Sequence, residues 1–168
     1  MSVRKRNSML IVTGIVVILL TLYGLGKKSA HVTLPIAASP EEVWNVLVDS
    51  KRAAEWNKVL LLQSGLIAEG ETVVYQFFQE EGKGSEIKAR VRRVIPHELL
   101  NQSGGVPGVL TFNHQYQLKP AQGQTQLVIH EDYRGIAVPF WNHKPVEAAY
   151  QRLAETLRQQ VLTLKRNQ

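Results

Sequence analysis

The residues with chemistry to offer lie in two neighbouring runs near the C-terminus. In Val109–Lys119, the residues Leu110, Phe112, His114, Tyr116 and Leu118 alternate with Thr111, Asn113, Gln115, Gln117 and Lys119. Alternate residues of a strand share a face, so the apolar set takes the inner face and His114 points inward between two aromatics. In Thr125–Arg134 the same rule puts Leu127, Ile129, Glu131 and Tyr133 inside, with Val128, His130, Asp132 and Arg134 outside. His114, Tyr116, Glu131 and Tyr133 are thus polar groups aimed at an apolar interior. A buried polar group without a partner costs about 1–3 kcal/mol. These groups must bond to one another, to water or to a ligand. Three readings are open. His114 is a core histidine satisfied by its own hydrogen bond; or the set orients the polar head of a ligand in an apolar pocket; or His114 is a general base tuned by Glu131.

Other chemistries have little to stand on. The chain has no cysteine, which removes disulfides, thiolate metal sites and a thiol nucleophile. His97 and His143 fall at turn or cap positions, and His31 and His130 on outer faces. No histidine pair has the i, i+4 spacing of a helical zinc site, so no metal and no cofactor is expected. No serine sits in a Gly-x-Ser-x-Gly context. Gly104-Gly105-Val106-Pro107-Gly108 reads as a loop without the spacing of a phosphate-binding loop. The segment Gly135–Trp141 is almost wholly apolar, although connections are normally polar. It either packs over the end of the core, or gates a cavity or touches a bilayer through Phe140 and Trp141.

The elements that must position these groups follow from periodicity. His31–Ile36 alternates as a strand. Ser39-Pro40-Glu41-Glu42 opens a helix with a serine cap, proline in the first turn and acids at the positive end. A second short helix follows, ending near Trp56. Strands are expected over Lys58–Ile67, Glu71–Gln79, Glu86–Ile95, Val109–Lys119 and Thr125–Arg134, with a weaker one over Glu98–Gln102. Their short connections make them antiparallel neighbours. The chain closes on a long helix capped by Asn142, with Val146, Ala149, Tyr150, Leu153, Leu157, Val161 and Leu164 on one apolar stripe. The expected class is α+β: a curved antiparallel sheet of six to seven strands wrapped around the C-terminal helix, with two small helices after the first strand. Phe112, His114, Tyr116, Glu131, Tyr133, Phe140, Trp141 and Tyr150 then become the candidate ligand-binding set.

The first 28 residues form a separate unit. No charge occurs between Asn7 and Gly26, and about 20 apolar residues span about 30 Å of hydrocarbon. Residues 9–26 are expected to cross a membrane once. Arg4, Lys5 and Arg6 outweigh Lys27 and Lys28, which puts the N-terminus in the cytoplasm and residues 29–168 on the outer side, the periplasm if the source is bacterial. A cleaved secretory signal is the rival, but its apolar region is usually shorter and Lys28 is wrong at the −3 position before Ala30. The formal net charge is +6, yet those five basic residues account for most of it. The remainder, near neutrality, has no footprint for a nucleic acid. The sequence sets no oligomeric state.

Ser39-Pro40-x-x-Val43-Trp44-x-x-Leu47-x-Asp49, then Glu55-Trp56-Asn57, resembles the opening of the START-like superfamily, also called SRPBCC, which includes domains of the polyketide cyclase/dehydrase and lipid-transport type. Val94-x-Pro96-x-x-Leu99 resembles that family's bend between strands, with His97 where a second proline is usual. The resemblance covers roughly His31 to Leu164. It implies the helix-grip fold and a deep, largely apolar cavity between sheet and C-terminal helix that takes a hydrophobic or lipid-like small molecule. It does not imply one activity, since the superfamily holds carriers, sensors and a minority of enzymes. An enzyme of cyclase, dehydratase or hydrolase type using His114 and Glu131, and a partner-binding module with a filled cavity, are the alternatives.

Overall fold

A computed structural model describes residues 3–80 and 82–167; the side chains of Arg4, Lys5 and Arg6 lie outside the described residues. Helix α1 (Val3–Leu25) comes first. Its stretch Asn7–Leu25 has a mean hydropathy of 2.4 with no part buried, and by length and composition it can cross a membrane. Large apolar side chains are exposed at successive positions, Met9 to Val12 and Ile15 to Leu20. A helix apolar on every side belongs in protein interior or lipid, and the described residues of the domain leave Asn7–Leu25 uncovered.

A single residue, Gly26, separates α1 from strand β1 (Lys27–Ile36). Helix α2 (Pro40–Leu47) follows, then α3 (Ala53–Trp56). Six strands complete the sheet: β2 (Leu60–Ser64), β3 (Thr72–Glu80), β4 (Lys83–Ile95), β5 (Leu99–Val106), β6 (Leu110–Ala121) and β7 (Gln124–Arg134). A 3₁₀ turn (Val138–Phe140) leads into α4 (Lys144–Arg166). The sheet order is β1-β7-β6-β5-β4-β3-β2, and every neighbouring pair is antiparallel. The sheet is the seven-stranded antiparallel layer expected from the alternation, and α4 packs against β1, β3, β7, α2 and α3.

Local rules explain the boundaries. Ser39 caps α2: its Oγ accepts from the Glu42 backbone N–H at 3.2 Å, and the Glu42 carboxylate accepts from the Ser39 backbone N–H at 2.6 Å. This reciprocal box satisfies two donors that a helix start otherwise leaves unpaired. The same Ser39 bond holds the Glu42 carboxyl below its ordinary pKa, helped by Lys165. Lys165 reaches Glu42 and the Ala37 carbonyl from the far end of α4. The stripe of α4 buries Val146, Ala149, Tyr150, Leu153, Ala154, Leu157 and Val161, against Leu127 and Ile129 of β7 and Val32, Leu34 and Ile36 of β1 in one continuous core.

Four expectations are corrected. The first strand begins at Lys27 rather than His31, because Lys27, Lys28, Ser29 and Ala30 pair in register with Arg134, Tyr133, Asp132 and Glu131. Gly104, Gly105 and Val106 belong to β5, paired with Phe112, Thr111 and Leu110, so the loop is confined to Pro107 to Val109. The weak strand near Glu98 is therefore a full one, Leu99–Val106. At the start of α4, His143 occupies the capping position and Asn142 acts one residue earlier, its Oδ1 accepting from the Lys144 backbone N–H at 3.2 Å.

Leu157 is wholly buried under the sheet. Leu157→Ala is expected to cost about 2–5 kcal/mol and Ser39→Ala about 1 kcal/mol, measured by denaturant unfolding of the full chain in detergent; equal effects for the two would show that the helix–sheet contact does not dominate stability.

Candidate functional site

The β6–β7 register sets His114 directly opposite Glu131. Opposed residues on one face of an antiparallel pair have side chains within reach of each other. Here the His114 Nδ1 and a Glu131 oxygen, Oε2, are 2.6 Å apart. From α4, Tyr150 donates its hydroxyl to the same carboxylate oxygen. His114 is 3% exposed and Glu131 5%, so this three-residue set is sealed from solvent. With Glu131 as acceptor, the shared hydrogen lies on Nδ1. The other ring nitrogen, Nε2, is buried and has no hydrogen-bond partner.

Aromatic rings enclose the set. The Tyr116 ring stands edge-on to His114 at 4.6 Å and the Tyr150 ring lies 5.0 Å away. Tyr133 sits beside Glu131 and carries Trp141 edge-on against its own ring, at 4.6 Å. Phe112 lies across the inner face of β5 because Gly104 has no side chain: a Cβ there would come within 2.6 Å of the Phe112 ring. Across the sheet, Gln102 donates its amide to the Tyr75 hydroxyl at 2.7 Å, both residues buried.

Two small voids lie on the inner face of the sheet, one under α4 and the other under α2 and α3. One, of about 20 Å³, is lined by Leu60, Tyr75, Ile87, Ala89, Gln102, Phe112, His114, Glu131 and Tyr150. The other, of about 30 Å³, shares Leu60 and Tyr75 with it and reaches Tyr116, Leu100, Leu62 and Leu47. Both are far smaller than the deep cavity that the resemblance implies, and inward aromatic and leucine side chains line them. The first void is the size of one water, whereas ligand pockets usually measure about 300–1,000 Å³. A larger recess, about 230 Å³, lies between α2, α3 and the end of α4 and is lined by Glu42, Arg52, Trp56, Val161 and Lys165 among others. It shares no residue with the His114 void.

Of the candidate ligand-binding residues, the fold gathers Phe112, His114, Glu131 and Tyr150 on one void, places Tyr116 on the adjoining one and buries Tyr133 beside Glu131. Trp141 stands one ring further out. Phe140 is apart from them, 78% exposed on the 3₁₀ turn. Gln102 and Tyr75 are additions. Their signal was a polar residue in an alternating strand, Leu100-x-Gln102-x-Gly104 and Val73-x-Tyr75-x-Phe77. Among the described residues, no group of three or more histidines and acids gathers to hold a metal.

Chemically the set is a histidine–carboxylate pair inside a ring of neutral phenols. An unprotonated Nε2 can accept a hydrogen bond or take a proton; a protonated one can donate. The phenols remain donors, because burial first, and the Glu131 charge next, push the Tyr150 and Tyr133 hydroxyls far above their ordinary pKa. Burial is the leading cause for Tyr116 and Tyr75 as well. Below pH 10 folded and unfolded chains both keep these protons. Above it the unfolded chain releases protons that the folded chain retains. Stability then falls with rising pH, by up to about 1.4 kcal/mol per unit for each tyrosine. In an alkaline titration, phenolate absorbance from Tyr75, Tyr116, Tyr133 and Tyr150 is expected to appear only with unfolding; its appearance in the folded chain near pH 10 would refute this burial.

Known proteins share this architecture. The chain matches the model of the family "Polyketide cyclase / dehydrase and lipid transport" over residues 27–162. No curated protein matches it. Among solved structures, TTHA0849 from Thermus thermophilus superposes with a TM-score of 0.63 at 13% identity, over 82% of this chain and 99% of its own. MLL2253 from Mesorhizobium loti gives 0.63 at 18%, over 81% and 97%. Norcoclaurine synthase from Thalictrum flavum, solved with dopamine and hydroxybenzaldehyde, gives 0.58 at 19%, over 82% and 87%. At such identities the likeness is one of fold. The family model covers four-fifths of the chain and the seven-stranded sheet gripping α4 agrees with it: this chain belongs to the polyketide cyclase/dehydrase and lipid-transport family, within the START-like superfamily.

Proposed function

We propose that the chain is a membrane-tethered receptor for an apolar, lipid-like small molecule bearing one hydrogen-bonding group. Residues 9–26 hold it in the bilayer with the N-terminus cytoplasmic, and the domain binds its ligand on the other side. The unpartnered Nε2 of His114 is the observation that carries this reading. A buried ring nitrogen with no bond calls for an occupant, and the space beside it is bounded mainly by apolar and aromatic groups. A ligand oxygen taking the place of one water would bond to Nε2, with Glu131 and Tyr150 fixing the ring behind it. The apolar body needs far more room than the two voids together offer, so the interior between them has to open around it. The shared wall, Leu60 and Tyr75, is what has to shift. Desolvation supplies the affinity, at about 25 cal/mol per Å² of apolar surface, and the polar set supplies orientation. The family's description and the small molecules bound by norcoclaurine synthase support a small-molecule partner of this kind.

Extraction of the full chain in mild detergent, followed by mass spectrometry, tests it. One reproducible apolar compound is expected from wild type. Tyr150→Phe, which keeps the ring and loses the hydroxyl bonded to Glu131, should lower its occupancy about tenfold by loosening the pair that orients His114. Recovery of no such compound from folded protein overturns the proposal.

A second reading rests on the 2.6 Å His114–Glu131 contact. A histidine whose Nδ1 is held by a carboxylate presents Nε2 as a general base, suited to proton removal beside a carbonyl. Loss of turnover in His114→Ala, with the extracted compound still bound, is the outcome expected of an enzyme. Loss of the compound itself is the outcome expected of a receptor.

A further inference from the structure

Three chain segments meet where α1 enters the sheet. The Gly135 backbone N–H donates to the Gly26 carbonyl at 3.1 Å, Ile136 N–H to the Gly108 carbonyl at 3.0 Å, and Ala137 N–H to the Val109 carbonyl at 3.0 Å. The fit allows no side chains at its centre: a Cβ on Gly26 would lie 2.0 Å from the Gly135 carbonyl oxygen, and one on Gly135 would lie 2.1 Å from that of Val109. Lys28 staples the β7–α4 connection to the start of β1, its ammonium donating to the Trp141 carbonyl at 2.5 Å and to the Pro139 carbonyl at 3.3 Å.

From this knot large apolar side chains project without cover. Val106 is 61% exposed, Val109 43% and Phe140 78%, and Pro107 between them is exposed too. An isolated exposed apolar residue needs no explanation, but a contiguous group of them marks a contact surface. Exposed Lys27 and Arg134, paired across β1 and β7, and exposed Lys144 at the start of α4 belong to the same end of the domain. Apolar tips with basic residues nearby suit the boundary between acyl chains and anionic headgroups. Gly26, which ends the hydrophobic span, is itself bonded to the base of this tip.

We propose that the tip formed by the β5–β6 turn, Val106 to Val109, and by Phe140 inserts into the bilayer interface from which α1 emerges, laying the domain against the membrane with its β1 start and α4 start down. The proposal rests on α1 being a membrane anchor and adds a second, loop-mediated contact that fixes the domain's orientation. Trp141, next to Phe140, packs on Tyr133, which borders Glu131. A short chain of neighbours, Phe140, Trp141, Tyr133 and Glu131, thus links the inserted tip to the polar set.

The absence of cysteine permits a direct test. Val109→Cys, Phe140→Cys, Lys119→Cys and Val16→Cys each receive one environment-sensitive fluorophore on the full chain. The labelled chains are placed in vesicles of phosphatidylcholine and phosphatidylglycerol doped with spin-labelled lipid. Lys119 is exposed at the opposite end of β6, about 30 Å from Leu110. Labels at 109 and 140 should shift to the blue and be quenched several-fold more than the label at 119, with 16 quenched most. Quenching at 16 with 109 and 140 no different from 119 would overturn the docking and leave the anchor standing. Quenching at none of the four would remove the anchor, and the docking with it.

Discussion

One requirement shapes the whole domain: the apolar face of a seven-stranded sheet has to be covered, and α4 is the element that covers it. No sheet with one greasy face is stable bare. The α4 stripe, from Val146 to Val161, meets the inner residues of β1, β3 and β7 along its length. That contact brings Tyr150 to Glu131, so the polar set inside is a product of the covering. Two of its members belong to the sheet and one to the helix, and only the closed arrangement brings all three together. The Lys165 bridge to Glu42 and Ala37 ties the far end of the helix to α2, which fixes how far α4 can slide.

Much of this was legible in the residues. Alternation alone put His114, Tyr116, Glu131 and Tyr133 on inner faces, since a strand has only two faces and the leucines and isoleucines declare which is inside. The meeting of His114 with Glu131 followed from two consecutive antiparallel strands joined by a short turn, whose centre is Gln122-Gly123 with positive φ at both. The part of Tyr150 was less visible. On a helical wheel it is one apolar position among seven, and only the angle at which α4 crosses the sheet picks it out. Gln102 was hidden because Gly104-Gly105 breaks the pattern of strand residues around it, although Gly104 is there to admit Phe112. Interior volume was the least legible quantity. It is a small difference between two large volumes, and a few inward rings change a deep hollow into two pockets the size of a water molecule or little more.

The buried set has a double character. As structure it is nearly complete: Glu131 accepts from His114 and Tyr150, and Gln102 and Tyr75 satisfy each other. As chemistry it is open at one atom, Nε2. A wholly structural core tends to leave no such atom unpaired. The His114 nitrogen sits among phenols and a carboxylate, while the indole Nε1 of Trp56 is also buried and unpaired among the described residues, beside a recess lined by charged side chains.

The joint at Gly26 bears on what kind of work the domain can perform. One residue extends about 3.5 Å, so a domain held by α1 has no leash. Under the proposed anchoring it could not swing across an aqueous gap to hand a molecule to a second membrane, as a freely diffusing shuttle does. Whatever it took up would come from, and return to, the leaflet beside it, or pass to something that comes to it. Stationary duty of that sort suits a sentinel or a local converter better than a ferry.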